Sequence, residues 1–334
     1  MSAQPVPIFR VVVDGRDISS LIDNRLESLS LTDNRGFEAD QLDIVLHDHD
    51  GALAIPPLKA EIRVWLGWQA TGLIDKGTFT VDEVEHSGAP DKLTIRARSA
   101  DLADGLLMQR ERSFHRQTVG AIVRTIAGAA KLEPGIAEVL AKEVVDHIDQ
   151  TNESDANFLT RLGQLFDAVA TVKAGRLMFM PMGAGTTASG QPLERVLINR
   201  QAGDQHRYSV ANRDNYSGVR AEYQNNKKAK KGEVVVGNAD NLKTLRHVYA
   251  TQKAAERAAK ASWNRIQRGV AEFGITLALG RPEIVTESPT SVTGFKPDID
   301  SGSWTVSRAT HTLDGNGLAT SLEFELRLTE VEPL

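Results

Sequence analysis

Residues 150–181 read QTNESDANFLTRLGQLFDAVATVKAGRLMFMP, and their interpretation decides the fold. Ser154 suits a helix N-cap, and Asp155 suits the positive end of the helix dipole that follows. Phe158, Leu162, Leu165, Phe166 and Val169 form one apolar stripe at helical spacing. Two strand-like runs, Ala168 to Val172 and Arg176 to Met180, flank Lys173-Ala174-Gly175, and Pro181 closes the unit. Glu153-Ser154-Asp155 would also serve as an acid–hydroxyl catalytic cluster. Helix N-termini need such residues whatever the function, so punctuation is the stronger reading. The stretch therefore predicts a helix laid on a hairpin, an α/β unit.

On the N-terminal side the chain reads as β-structure. Ile8 to Val13 ends at the turn signal Asp14-Gly15. Leu42, Ile44 and Leu46 alternate with Asp43, Val45 and His47 in nearly a period of two, and Ile62, Val64 and Leu66 repeat the pattern. Short strands at this spacing point to a small barrel or sandwich. Helical spacing begins with Val119, Ile122, Val123 and Ile126 and stops at Glu133-Pro134-Gly135. Beyond the hairpin, GAGTTASGQ (183–191) marks a loop and a boundary. Strands resume and are interrupted by an alanine-rich helix from Thr251 to Arg268. The C-terminal strands include a hairpin turning at Asp314-Gly315-Asn316-Gly317. The expected fold is α+β and mainly β: a first β-barrel over 1–106, an α/β domain over 107–184, and a second β-barrel over 185–334 carrying the helix near 251–268.

The 334 residues carry a net charge of −5, 41% hydrophobic residues, 5% aromatics and no cysteine. Disulfides, thiolate catalysis and cysteine-based metal sites are excluded. Nothing global points to DNA or an anionic membrane, and the N-terminus lacks a secretory pattern, so assembly in a cytoplasm is expected. His47-Asp48-His49-Asp50 resembles a metal cluster, but no further histidine nearby completes a tetrahedral site. Gly183-Ala184-Gly185 lacks the Gly-Lys-Ser/Thr ending of a phosphate loop. Lys227, Lys228, Lys230 and Lys231 form a basic run without aromatics, which reads as an exposed hairpin tip available for assembly contacts. No catalytic motif, cofactor or metal is expected.

Three stretches, in order, resemble the phage late control gene D family, which supplies the central hub of contractile phage tails and tailocins and is similar to the hub part of VgrG, the type VI secretion spike. The first is PIFRVVVDGRDISSLIDNRLESLSLTDNRGFEADQLDIVLHD, with Asp14, Gly15, Asp33 and Asp40. The second is the opening stretch, with Gln150, Ser154, Asp155, Phe158, Leu162 and Gly175. The third is SVTGFKPDIDSGSWTVSRATHTLDGNGLATSLEFEL, with Gly294, Phe295, Trp304, His311 and Gly317. The resemblance implies two small barrels with an α/β part and no catalytic residues. It implies a homotrimer that joins a central spike to the tail tube and adapts three-fold to six-fold symmetry, with baseplate wedge proteins and the tape measure protein as further partners. No specific nucleic acid and no membrane are expected in the resting particle, a virion or tailocin. VgrG continues into an OB-fold and a needle, so spike and wall-degrading functions are expected in separate proteins. A carbohydrate-binding module and a peptidoglycan hydrolase are the alternatives; scarce aromatics weigh against the first, and zymography separates the second.

Overall fold

The computed structural model describes residues 5–99, 104–173, 175–187, 189–210, 216–225 and 230–327. The first segment contains β1 (Pro7–Val13), β2 (Arg16–Asp17), the one-turn helix α1 (Ser19–Ile22), β3 (Leu26–Asn34), β4 (Gln41–His47), β5 (Glu61–Trp68), β6 (Gly72–Ser87) and β7 (Lys92–Ser99). Asp14 and Gly15 make the two-residue turn between β1 and β2 with φ of 46° and 79°, the doubly positive pattern that lets a hairpin twist correctly. The alternation read from β4 and β5 holds: Leu42, Ile44, Leu46, Ile62, Val64 and Leu66 all face one core.

The middle segment contains α2 (Asp104–Leu107), β8 (Gln109–Thr118), α3 (Val119–Ala129), β9 (Glu133–Ile136), α4 (Glu138–Ala141), β10 (Val144–Ser154), α5 (Asp155–Phe166), β11 (Ala168–Lys173) and β12 (Arg176–Pro181). β8 and β10 form a two-stranded ribbon, and β11-β12-β9 a small mixed sheet. α5 buries Phe158, Leu159, Leu162 and Phe166. Its close seat on β11 requires Gly163, where a Cβ would meet Ala168 O at 2.5 Å. The helix ends at Phe166 and Asp167 turns left-handed (φ 50°), so Val169, read as part of the helical stripe, lies in β11.

The last segment contains β13 (Val196–Asn199), β14 (Gly203–Val210), β15 (Gly218–Asn225), β16 (Lys230–Gly237), β17 (Leu242–Tyr249), α6 (Gln252–Arg268), β18 (Ala271–Leu277), β19 (Pro289–Thr293), α7 (Pro297–Asp300), β20 (Trp304–Asp314) and β21 (Gly317–Leu326). β16-β15-β17 is a sheet of its own, covered by α6. Ala255 and Ala259 of the helix pack on Val219 and Ala221, so the alanine-rich face brings helix and sheet close together. Thr251 Oγ1 caps α6 by accepting from Ala254 N–H at 3.3 Å.

The other strands of the two β segments belong to one 13-stranded sheet, joined where β3 pairs antiparallel with β20 from Ser28↔Asp314 to Asn34↔Arg308. The fold is thus mainly β with helices. Among the described residues neither segment closes on itself by strand pairing; β3 continues into β20 instead. Within the sheet an order repeats. Leaving aside the two-residue β2 beyond β1, the first segment runs β1-β5-β6-β7-β4-β3, and the last runs β13-β19-β20-β21-β18-β14. Numbered by position within each set of six, both read 1-4-5-6-3-2. They differ in the first pairing, antiparallel for β1–β5 and parallel for β13–β19. The sheet of β15–β17 with α6 is inserted between the second and third strands of the later set.

Candidate functional site: an ionic junction between segments

The segments meet over buried charge. Asp33, on β3, is directed inward in an otherwise apolar alternation and is 6% exposed. Its Oδ1 accepts from Lys173 Nζ of β11 at 2.9 Å, and its Oδ2 accepts from Thr286 N–H at 3.1 Å. Lys173 also donates to Asp40. One ammonium therefore joins two carboxylates of the first segment to the α/β segment, and Thr286 ties in the last. Burial pushes Asp33 up, but Lys173, Lys76 and the Thr286 N–H outweigh it and hold the carboxyl below its ordinary value. Asp40 moves up, through burial and the Asp33 charge. Burial would depress Lys173, yet the two carboxylates raise it.

Lys76, from β6, reaches the same region, where its Nζ donates to Pro282 O at 2.9 Å and lies 3.2 Å from His311 Nε2. Burial lowers this lysine. His311 is fully buried, with Nδ1 2.9 Å from Thr320 Oγ1. Burial, then the Lys76 charge, brings its imidazole down to about 3, so it is neutral. An ammonium can only donate, so Nε2 accepts and Nδ1 donates to the threonine. Beside these groups lies a cavity of about 370 Å³ whose walls include Phe79, Met178 and Val285.

A second ionic tie joins α5 to the helix of the inserted unit. Arg268 closes α6 and donates through Nη1 to Asp167 Oδ2 at 2.9 Å and through Nη2 to Oδ1. Arg257 of α6 donates to Glu143 at 3.0 Å and lies 4.2 Å over the Phe166 ring. Glu287 is buried against Arg35 at 2.5 Å and accepts from Gly183 N–H at 2.9 Å, fastening the loop after β12. These are joints rather than a reactive constellation.

The residues singled out by sequence fall at turns, in the core, at the start of α5 and at the junction. Asp14, Gly15, Gly175, Gly294 and Gly317 are turn residues with positive φ; Asp14 also pairs its N–H and Oδ1 with the Glu61 backbone. Gly294 and Phe295 donate their N–H groups to the Asp300 carboxylate. Phe158, Leu162 and Trp304 are core, the indole Nε1 donating to Ile299 O at 3.0 Å. Phe295 packs edge-on to Phe273. Ser154 Oγ caps α5 by accepting from Asn157 N–H at 3.2 Å. Asp155 does more than face the dipole: it is fully buried and accepts from Arg110 Nε and Arg112 Nη2, both at 3.1 Å, and from Gln150 Nε2 at 2.8 Å. Asp33, Asp40 and His311 reach the junction.

Lys227 and Lys228 lie outside the described residues. Lys230 and Lys231 begin β16, where Lys231 pairs with Glu222 at 3.0 Å. Asp50 of the His-Asp-His-Asp run forms a two-pronged pair with Arg25, and Asp48 accepts from Leu53 N–H. Among the described residues no three His, Asp or Glu side chains are grouped to hold a metal, and no helix is long and apolar enough to cross a membrane. Lys76, Lys173, Arg268 and Glu287 were missed because their partners are far off in sequence. The available signal was Asp33, a charge at an inward strand position.

A family model described as phage tail baseplate hub (GPD) matches residues 41–317. The probable baseplate hub protein of Escherichia phage 186 is 45% identical, over 98% of this chain and 94% of that protein. Among solved structures, the tail protein from Neisseria meningitidis MC58 has a TM-score of 0.72 at 16% identity, covering 96% of each chain. A chain of the Francisella PdpA–VgrG complex has a TM-score of 0.56 at 9% identity, over 99% of this chain and 60% of that one. The structural likenesses establish the fold, the sequence relationship goes further, and the chain belongs to the phage tail baseplate hub family, a component of the virion tail.

Proposed function

We propose that the hub is non-enzymatic and works as a homotrimer around a central channel, each chain presenting two similar β modules to a six-fold tail tube while holding the spike on the three-fold axis. The observation that carries this reading is the strand order 1-4-5-6-3-2, repeated in the first and last segments. Three chains with two such modules each provide six places. The modules are proposed as small barrels within 1–106 and 185–334, around an α/β domain at 107–184. The Asp33–Lys173–Asp40 and Asp167–Arg268 ties support a mechanical role, since a body that transmits force must not shear between its parts. Spike, tube, wedge proteins and the tape measure protein are the proposed partners, and the PdpA–VgrG complex illustrates a partner held by a protein of like fold.

A density map of the assembled tail tests the arrangement. Both modules of each chain should touch the tube; contact through one alone would contradict it. Zymography of the purified chain tests the enzymatic alternative. Muropeptide release abolished by a single carboxylate substitution would overturn the non-enzymatic reading.

A further inference from the structure

The exposed face of the β8–β10 ribbon carries a polar ladder that the hub reading does not use. His147 stands opposite His115, and Asp149 opposite Ser113. The two pairs are adjacent along the ribbon and lie on one face, because side chains two apart on a strand share a face. Ser113 Oγ donates to Asp149 Oδ1 at 2.6 Å. Asp149 Oδ2 lies 3.0 Å from His147 Nε2. The carboxylate accepts only, so Nε2 carries the proton and His147 Nδ1 is left with a free lone pair.

His147 Nδ1 lies 3.0 Å from His115 Nδ1. With the His147 proton on Nε2, His115 Nδ1–H donates this hydrogen bond and His147 Nδ1 accepts it. The ring centroids are 4.5 Å apart and the planes 23° from parallel. In the His115 tautomer protonated on Nε2, both Nδ1 lone pairs face one point, which a cation can take in place of the shared proton. A metal at the usual ~2.0–2.1 Å from both nitrogens would subtend roughly 95°, close to the right angle of tetragonal or octahedral coordination and well below the tetrahedral angle. A small turn of each exposed ring about χ2 brings both lone pairs onto that point. The carboxylate behind His147 is the partner that metal-ligating histidines ordinarily have.

We propose that His115 and His147 chelate a divalent transition-metal ion of the nickel(II) or copper(II) type, oriented by Asp149 and completed by water. Imidazole donors at near-right angles favour such ions. The chelate would act as a cross-strand clamp. A two-stranded ribbon is only marginally stable by itself, and this one leads directly into the cap of α5.

The test uses the untagged full-length chain, stripped with EDTA, and nickel(II) as probe, titrated by calorimetry and followed by melting temperature. One ion per chain is expected, with a melting temperature that rises with nickel concentration. His115→Ala and His147→Ala should each weaken binding by more than tenfold. Asp149→Asn should weaken it about tenfold, as loss of such a supporting carboxylate does. Circular dichroism of the metal-free variants, matching the parent, assigns the loss to the ligands. Binding that survives in the double histidine variant, or no binding by the folded parent at millimolar nickel, would overturn the site.

Discussion

At the scale of single residues, burial decides behaviour, and His311 shows it most directly. Its imidazole titrates near 6.5 in the unfolded chain and near 3 in the hub. Below about 6.5 the unfolded chain takes a proton that the folded chain refuses. This contribution to stability is therefore complete above that pH and is lost as pH falls toward 3, by up to about 1.4 kcal/mol per unit. Denaturant unfolding at several pH values between 5 and 7 should show a shallower slope for His311→Gln than for the parent; equal slopes would refute the assignment. Ser154→Ala removes the cap of α5 and should cost about 1 kcal/mol, readable as a shifted urea midpoint at unchanged slope. Capping is local, which made Ser154 legible in the sequence. The burial of Asp155 was not, because its partners Arg110 and Arg112 lie on β8, 45 and 43 residues earlier.

At the scale of elements, what was legible followed short-range periodicity. Alternation located β4 and β5, and helical spacing with caps located α3, α5 and α6. The β20–β21 hairpin announced itself through its Asp-Gly-Asn-Gly turn. The β3–β20 pairing bridges segments far apart in sequence and carries no local signal. Nor did any signal separate β15–β17 from the surrounding strands, since a strand's sequence does not name its neighbour. The ionic ties between elements are invisible for the same reason. Breaking one should be costly: Arg268→Ala leaves Asp167 buried without its cation and should destabilise by about 3–5 kcal/mol. Lys142→Ala removes an exposed pair with Glu138 and should change stability by less than about 1 kcal/mol. Thermal unfolding of the two variants side by side checks this; similar losses would show that the joints do not hold the elements together.

At the scale of the whole molecule, the repeated strand order connects fold to function, and neither composition nor any alignable motif revealed it. The histidine pair was equally hidden, because 32 residues separate two positions that the ribbon places side by side. The lysine run belongs to this scale as well. Replacing Lys227, Lys228, Lys230 and Lys231 by serine should leave melting of the isolated chain almost unchanged, within about 0.5 kcal/mol as for most surface substitutions, while particle yield falls. A large loss of thermal stability would place those side chains in the fold instead of the assembly.

The account rests most heavily on three copies meeting around one axis. Obligate interfaces commonly bury about 2,000–5,000 Å², so the assembly should survive dilution. Light scattering coupled to size exclusion, on the hub alone and after mixing with its spike, measures this directly. The account predicts a mass of about 109 kDa for the hub component, three times the 36.4 kDa chain, in at least the mixed sample; a 36.4 kDa monomer in both samples would contradict it.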